Sequence, residues 1–172
     1  MSPTHESYRG PVEDVPPGAG PDWGHLPHGE LTNSIIGAMF EVNNIFGSGF
    51  LESVYANALT VELRLRGVLV ERNVPFEVMY RGTSVGRYVA DLVVDHKVIV
   101  ETKVAKAIEP VHRAQLLNYL RASGLEVGLV ANFGNSMQFK RVVWTRRPGQ
   151  HLDEGESGNG NGLCCLRLRT SR

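Results

Sequence analysis

The chain has 172 residues, 42% of them hydrophobic, with 18 Lys and Arg against 18 Asp and Glu. That length and apolar content allow one packed domain with tails, and the charge balance argues against both a strongly basic nucleic-acid scaffold and a polyanionic solvating chain. No apolar stretch approaches the ~18 residues of a membrane span, and no basic-then-apolar leader opens the chain, so a cytoplasmic protein with no membrane contact is expected.

Residues 1–29 are rich in Pro and Gly and poor in aliphatic residues, and residues 1–30 carry a net charge of −4. Such a segment buries too little apolar surface to offset its ordering entropy, so a disordered N-terminal tail is expected there. From Leu31 to about Asn44, Ile35, Ile36, Met39, Phe40 and Val42 recur at helical spacing, with Thr32 or Asn33 available as a cap. Gly47-Ser48-Gly49 breaks the chain. A second helix is expected from about Phe50 to Arg66, carried by Leu51, Val54, Tyr55, Leu59, Leu63 and Leu65 and stopped by Gly67.

The period then changes to two. Strands are expected at Val68–Glu71, Phe76–Tyr80, Val85–Val94 and Lys97–Val104, with Arg81-Gly82-Thr83-Ser84 as a turn. A third helix begins at Pro110, a favoured first helical position, and ends at Gly124. Strands at Glu126–Ala131 and Phe139–Trp144 follow. This order predicts an α/β fold: a single domain over residues 30–145 with a mixed β-sheet flanked by helices on both faces. Residues 146–172 contain Gly155-Glu156-Ser157-Gly158-Asn159-Gly160 and form a second disordered tail by the same argument. Cys164 and Cys165, the only cysteines, are neighbours and cannot frame a disulfide scaffold or a zinc site.

The chemistry concentrates in Asp91-Leu92-Val93-Val94-Asp95-His96-Lys97-Val98-Ile99-Val100-Glu101-Thr102-Lys103. Residues two apart on a strand share a face, so Glu101 and Lys103 point the same way and Thr102 the other. Asp91 falls opposite Glu101 only if Val94 pairs with Val98 across a three-residue loop; a two-residue loop separates the carboxylates unless a bulge intervenes. Two carboxylates and an ammonium among Val, Leu and Ile cost several kcal/mol unless paired or bound to a cation. Either they hold a divalent metal beside a water-activating Lys, or they form an ion triad that only supports the fold. On the third helix, His112, Gln115 and Tyr119 share one stripe, able to orient a phosphate or a water. No Walker or dinucleotide fingerprint is present, and His96, at the hairpin tip, reads as solvent-exposed.

The succession Asp91, Glu101-Thr102-Lys103 and Gln115-Leu116-Leu117-Asn118-Tyr119 resembles the PD-(D/E)XK nuclease superfamily, and its Gln-x-x-x-Tyr is similar to that of the RecB-like branch. Gly49-Phe50-Leu51-Glu52-Ser53-Val54-Tyr55 matches the signature of the GxxExxY proteins placed in that superfamily. The resemblance spans residues 31–144, with Ala90 standing where the superfamily name has Pro. It implies a restriction-endonuclease-like core and a Mg²⁺ (or Mn²⁺) site formed by Asp91, Glu101 and the Thr102 carbonyl, with Glu52 completing the shell. It also implies that Lys103 orients or deprotonates the attacking water, and that Gln115 and Tyr119 steady the active site or the scissile strand. The expected activity is hydrolysis of phosphodiester bonds in DNA, with RNA as the other candidate substrate. The alternative is a catalytically silent nuclease-fold module for nucleic-acid or protein binding. With a net charge of only +2 over residues 31–145, substrate grip would draw on a homodimer or a protein partner.

Overall fold

A computed structural model describes residues 26–145 of the chain. The expectations for the tails, His25 and the cysteine pair lie outside the described residues. Two helices, α1 (Gly29–Phe46) and α2 (Glu52–Leu65), precede three strands, β1 (Val70–Tyr80), β2 (Thr83–Val94) and β3 (Val98–Lys103). Helix α3 (Pro110–Ser123) then leads to β4 (Val127–Phe133) and β5 (Met137–Val143). The strands form one mixed sheet in the order β1-β2-β3-β4-β5, parallel only between β3 and β4. That parallel pair needs a crossover, and α3 supplies it.

Helices cover both faces, as the α/β order predicts. Ile35, Met39, Tyr55, Leu59 and Leu63 of α1 and α2 pack on Leu92, Val100, Leu129 and Phe133. On the other face Leu116, Tyr119 and Leu120 of α3 pack on Val93, Ile99, Val130 and Val142. Every residue of β4 is buried, which explains its unbroken apolar sequence. Gly128 lets α3 come close: a Cβ there would lie 2.7 Å from Leu116 Cδ1. Among the described residues no helix is long and apolar enough to cross a membrane.

Three expectations need correction. The strands placed at 68–71 and 76–80 are one continuous strand, β1; it lies at the sheet edge, where a proline such as Pro75 is tolerated, and Asn73 within it adopts φ 52°. Neither Thr32 nor Asn33 caps α1; the helix starts a turn earlier at Gly29, after His28 in the left-handed region, and Thr32 is buried within its first turns. The fold also reaches back before residue 30, for Leu26 packs against the core and the Pro27 carbonyl accepts a 2.8 Å bond from Arg141 Nη2.

Candidate active site

The β2–β3 hairpin sets the site. Its loop is the three-residue alternative: Val94 pairs with Val98, Asp95 and His96 take positive φ, and the Lys97 N–H donates to the Val94 carbonyl at 3.0 Å. His96 is exposed at the tip, with Nδ1 3.0 Å from Glu71. The pairing runs to Leu92–Val100. Beyond it the Asp91 side chain takes over from the ladder, its Oδ2 accepting the Thr102 N–H at 2.8 Å and the Thr102 hydroxyl at 2.6 Å. One carboxylate oxygen is thereby fixed, and Oδ1 accepts no hydrogen bond from the described residues.

Glu101, on the opposite parity from Thr102, turns toward α3 and is 2% exposed. Its Oε1 accepts Lys103 Nζ at 2.7 Å and Gln115 Nε2 at 2.9 Å, while Oε2 is buried with no partner. The same Gln115 nitrogen donates to the Tyr119 hydroxyl at 2.7 Å, one turn further along the helix. Lys103 Nζ also lies 3.6 Å from Glu52 at the start of α2. Lys103 therefore joins the two walls: Glu101 and Gln115 on the α3 side, Glu52 on the α2 side. Asp91 and Thr102 border an open cleft of about 400 Å³ together with Leu51, Glu52, Arg72 and Asn73.

Charge follows this geometry. Burial, then the neighbouring Asp91 carboxylate, raises the Glu101 pKa to about 7, against the opposing pull of Lys103. Burial disfavours the Lys103 ammonium, yet its hydrogen bond and attraction to Glu101, with Glu52 and Asp91 adding, hold its pKa above the usual lysine value. Burial likewise raises the Tyr119 pKa, so its phenol stays protonated at neutral pH.

Gln115 reaches Glu101 because the entry to α3 is fixed twice. Asn132 of β4 accepts the Ala105 N–H (2.8 Å) and donates to the Ala105 carbonyl (2.9 Å), clamping the chain just after β3. Gly134 leaves room for that carbonyl, which a Cβ would strike. Glu109 then caps α3 reciprocally with His112, whose Nδ1 accepts the Glu109 N–H at 3.1 Å. His112 is thus engaged as a cap. Tyr55 is fully buried and structural: its ring stacks on Phe133 at 4.6 Å, and its hydroxyl donates to the Gly47 carbonyl at 2.7 Å.

Sequence reasoning did not single out Arg72 and missed Asn132 as a clamp. The isolated Asn within an apolar strand was the available signal for Asn132, since a buried amide must find partners.

The side chains are oxygen donors of the kind a hard divalent cation takes: Asp91 and Glu101 each keep one oxygen with no donor among the described residues. A buried carboxylate oxygen without a donor, on a group whose ionisation is resisted, is the arrangement a cation would relieve. Among the described residues no group of three or more His, Cys, Asp or Glu side chains is placed to hold a metal ion; a Mg²⁺ here would draw on fewer carboxylates and keep several waters.

No curated protein matches the chain. The solved structure titled "Crystal structure of SSO0001" is similar at 17% identity and a TM-score of 0.40, covering 67% of this chain and 59% of its own. The chain thus spans less than two thirds of that protein. The family model described as the PD-(D/E)XK nuclease superfamily matches residues 29–142, from the first residue of α1 to the penultimate residue of β5. With that match across the whole described fold, the chain belongs to the PD-(D/E)XK nuclease superfamily.

Proposed function

We propose that the chain hydrolyses phosphodiester bonds in nucleic acid with the help of a divalent metal, DNA being the first candidate substrate and RNA the second. Asp91, Glu101 and the Thr102 carbonyl would hold the metal, with Glu52 at its edge. Within the superfamily we assign the chain to the RecB-like branch on Gln115 and Tyr119, and to the GxxExxY proteins on Gly49, Glu52 and Tyr55. The observation that carries the reading is the unpartnered Glu101 Oε2, buried on a carboxylate held near neutral pKa.

When bound there, Mg²⁺ or Mn²⁺ would supply Lewis-acid neutralisation of the phosphate oxygens and bring a water toward hydroxide near neutral pH. The chain's own residues do the rest. Lys103, bonded to Glu101 Oε1 and 3.6 Å from Glu52, would orient the attacking water or take its proton and offset the charge that develops there. Gln115, fixed by Tyr119, keeps Oε1 of Glu101 occupied and leaves Oε2 available. Both are positioning residues. Thr102 does the same for Asp91.

The test is a panel of labelled DNA and RNA substrates with Mg²⁺ or Mn²⁺, wild type against Glu101→Ala. Cleavage should require metal and fall by about 10²-fold or more in the variant. Equal cleavage by both proteins would refute the assignment. A wild type that binds but never cuts would move the protein to the silent-module reading.

A further inference from the structure

The turn between α1 and α2 presents apolar side chains to solvent beside the cleft. Phe46 and Phe50 are 38% and 47% exposed, and Leu51, at 75%, borders the cleft itself. A single exposed Leu needs no explanation, but a contiguous apolar rim on a polar cleft does. This rim is held in place. The buried Tyr55 hydroxyl donates to the Gly47 carbonyl and accepts the Phe50 N–H at 3.4 Å, so one ring ties down both ends of the turn. The Phe50 ring lies 5.3 Å from Phe46 and edge-on to Tyr55 at 6.2 Å.

The cleft is also lined by Arg72 of β1, the one Lys or Arg among its described lining residues, with Lys103 behind Glu52. Its Nη1 donates to Asn57 Oδ1, a neutral acceptor, and its Nε is buried with no partner. No carboxylate among the described residues forms an ion pair with it. A guanidinium in no direct ion pair, in a cleft it shares with Asp91 and Glu52, keeps donors for an anion, and its planar fork matches phosphate.

We propose that this cleft is a subsite for one unpaired nucleotide, in which Arg72 takes a phosphodiester oxygen and Phe50 with Leu51 takes the face of the base. The inference rests on the nuclease reading above and adds a substrate form to it. A base inside a duplex has both faces stacked on its neighbours and must be unstacked before it meets an apolar rim. An unpaired base has a free face, and stacking on an aromatic side chain tolerates any sequence. The cleft's volume falls within the roughly 300–1,000 Å³ of small-ligand sites.

The test measures anisotropy of a labelled single-stranded DNA oligonucleotide and of the blunt duplex of the same sequence. It uses the full chain in EDTA, so that binding is read without cleavage. Wild type should prefer the single strand. Phe50→Ala should weaken single-strand binding about tenfold and leave duplex binding unchanged. Arg72→Ala should lower the slope of log K against log[salt] by about one, with Arg72→Lys restoring it in part. Val111→Ser, at an exposed position on α3, should change neither. Melting curves check folding, and Arg72→Gln replaces Arg72→Ala if the latter melts at the assay temperature. Absence of a single-strand preference, or a Phe50→Ala protein that binds both forms as wild type does, overturns the proposal. So does a dimer by light scattering that Phe50→Ala converts to monomer with single-strand affinity intact, which would make the rim a contact between copies. Because binding is read without metal and cleavage with it, either reading can fail alone. Phe50-dependent binding without cleavage removes the nuclease, and cleavage with Phe50-independent binding removes the subsite.

Discussion

Replacing Glu101 by Gln should stabilise the metal-free protein at alkaline pH and hardly affect it at acid pH. The folded-state pKa of about 7 stands above the 4.5 of an unperturbed Glu. Below pH 4.5 both states carry the proton. Between 4.5 and 7 only the unfolded chain releases it, so the folded state loses stability as pH rises through that window, and the loss is complete above about 7. A shift of that size corresponds to roughly 3 kcal/mol. Gln resembles the protonated acid: its carbonyl can still accept from Lys103 and Gln115, and it carries no charge to desolvate. For a folded unit of this size, 3 kcal/mol amounts to on the order of 10 °C in melting temperature. The assay is a pair of thermal melts in EDTA from pH 5 to 8.5. Wild type and Glu101→Gln should differ little at pH 5, separate progressively up to about pH 7 with the variant higher, and keep that gap to pH 8.5. A constant difference across the range, or a variant that melts lower at pH 8.5, would refute the claim that burial and Asp91 oppose the Glu101 charge.

Other perturbations follow the same contacts. Asp91→Asn keeps an acceptor for Thr102 but removes the second-largest contribution to the Glu101 shift, so the loss of stability with rising pH should be smaller and be complete at a lower pH than in wild type, read from the same melts. Lys103→Met should abolish cleavage and destabilise the apo protein more at pH 8.5 than at pH 5, because the carboxylate it leaves unpaired is ionised only at the higher pH; paired melts and a cleavage assay check both. Gly134→Ala should cost about 1–3 kcal/mol in denaturant melts, since its methyl meets the Ala105 carbonyl. We also propose that a chain cut to residues 26–145 folds with the melting temperature of the full protein, whereas a cut at 29 melts lower for want of Leu26 and the Pro27 carbonyl.

The sequence carried the element order and the α3 stripe well, because both rest on periodicity. Gln115 and Tyr119 are four apart, and a helix leaves no choice about whether they meet. The hairpin register was open between two loop lengths, and only the pairing of Val94 with Val98 decides it. What escaped depends on contacts between distant segments. Pro75 reads as a strand breaker until the sheet order makes β1 an edge. Asp91 turns onto Thr102, eleven residues away, and Asn132 clamps Ala105 across twenty-seven, neither of which has a local signature. Arg72 is indistinguishable in sequence from other dispersed cations, and its place beside Asp91 comes from the β1–β2 register that pairs it with Leu92.

Whether Asp91 and Glu101 together hold a divalent metal, as we propose, is decided by titrating Mn²⁺ calorimetrically into wild type, Asp91→Asn and Glu101→Gln at pH 7.5. Wild type should show a saturable Mn²⁺ site that either substitution abolishes or weakens by at least about tenfold. A site of unchanged affinity in both variants would place the ion elsewhere and contradict the proposal.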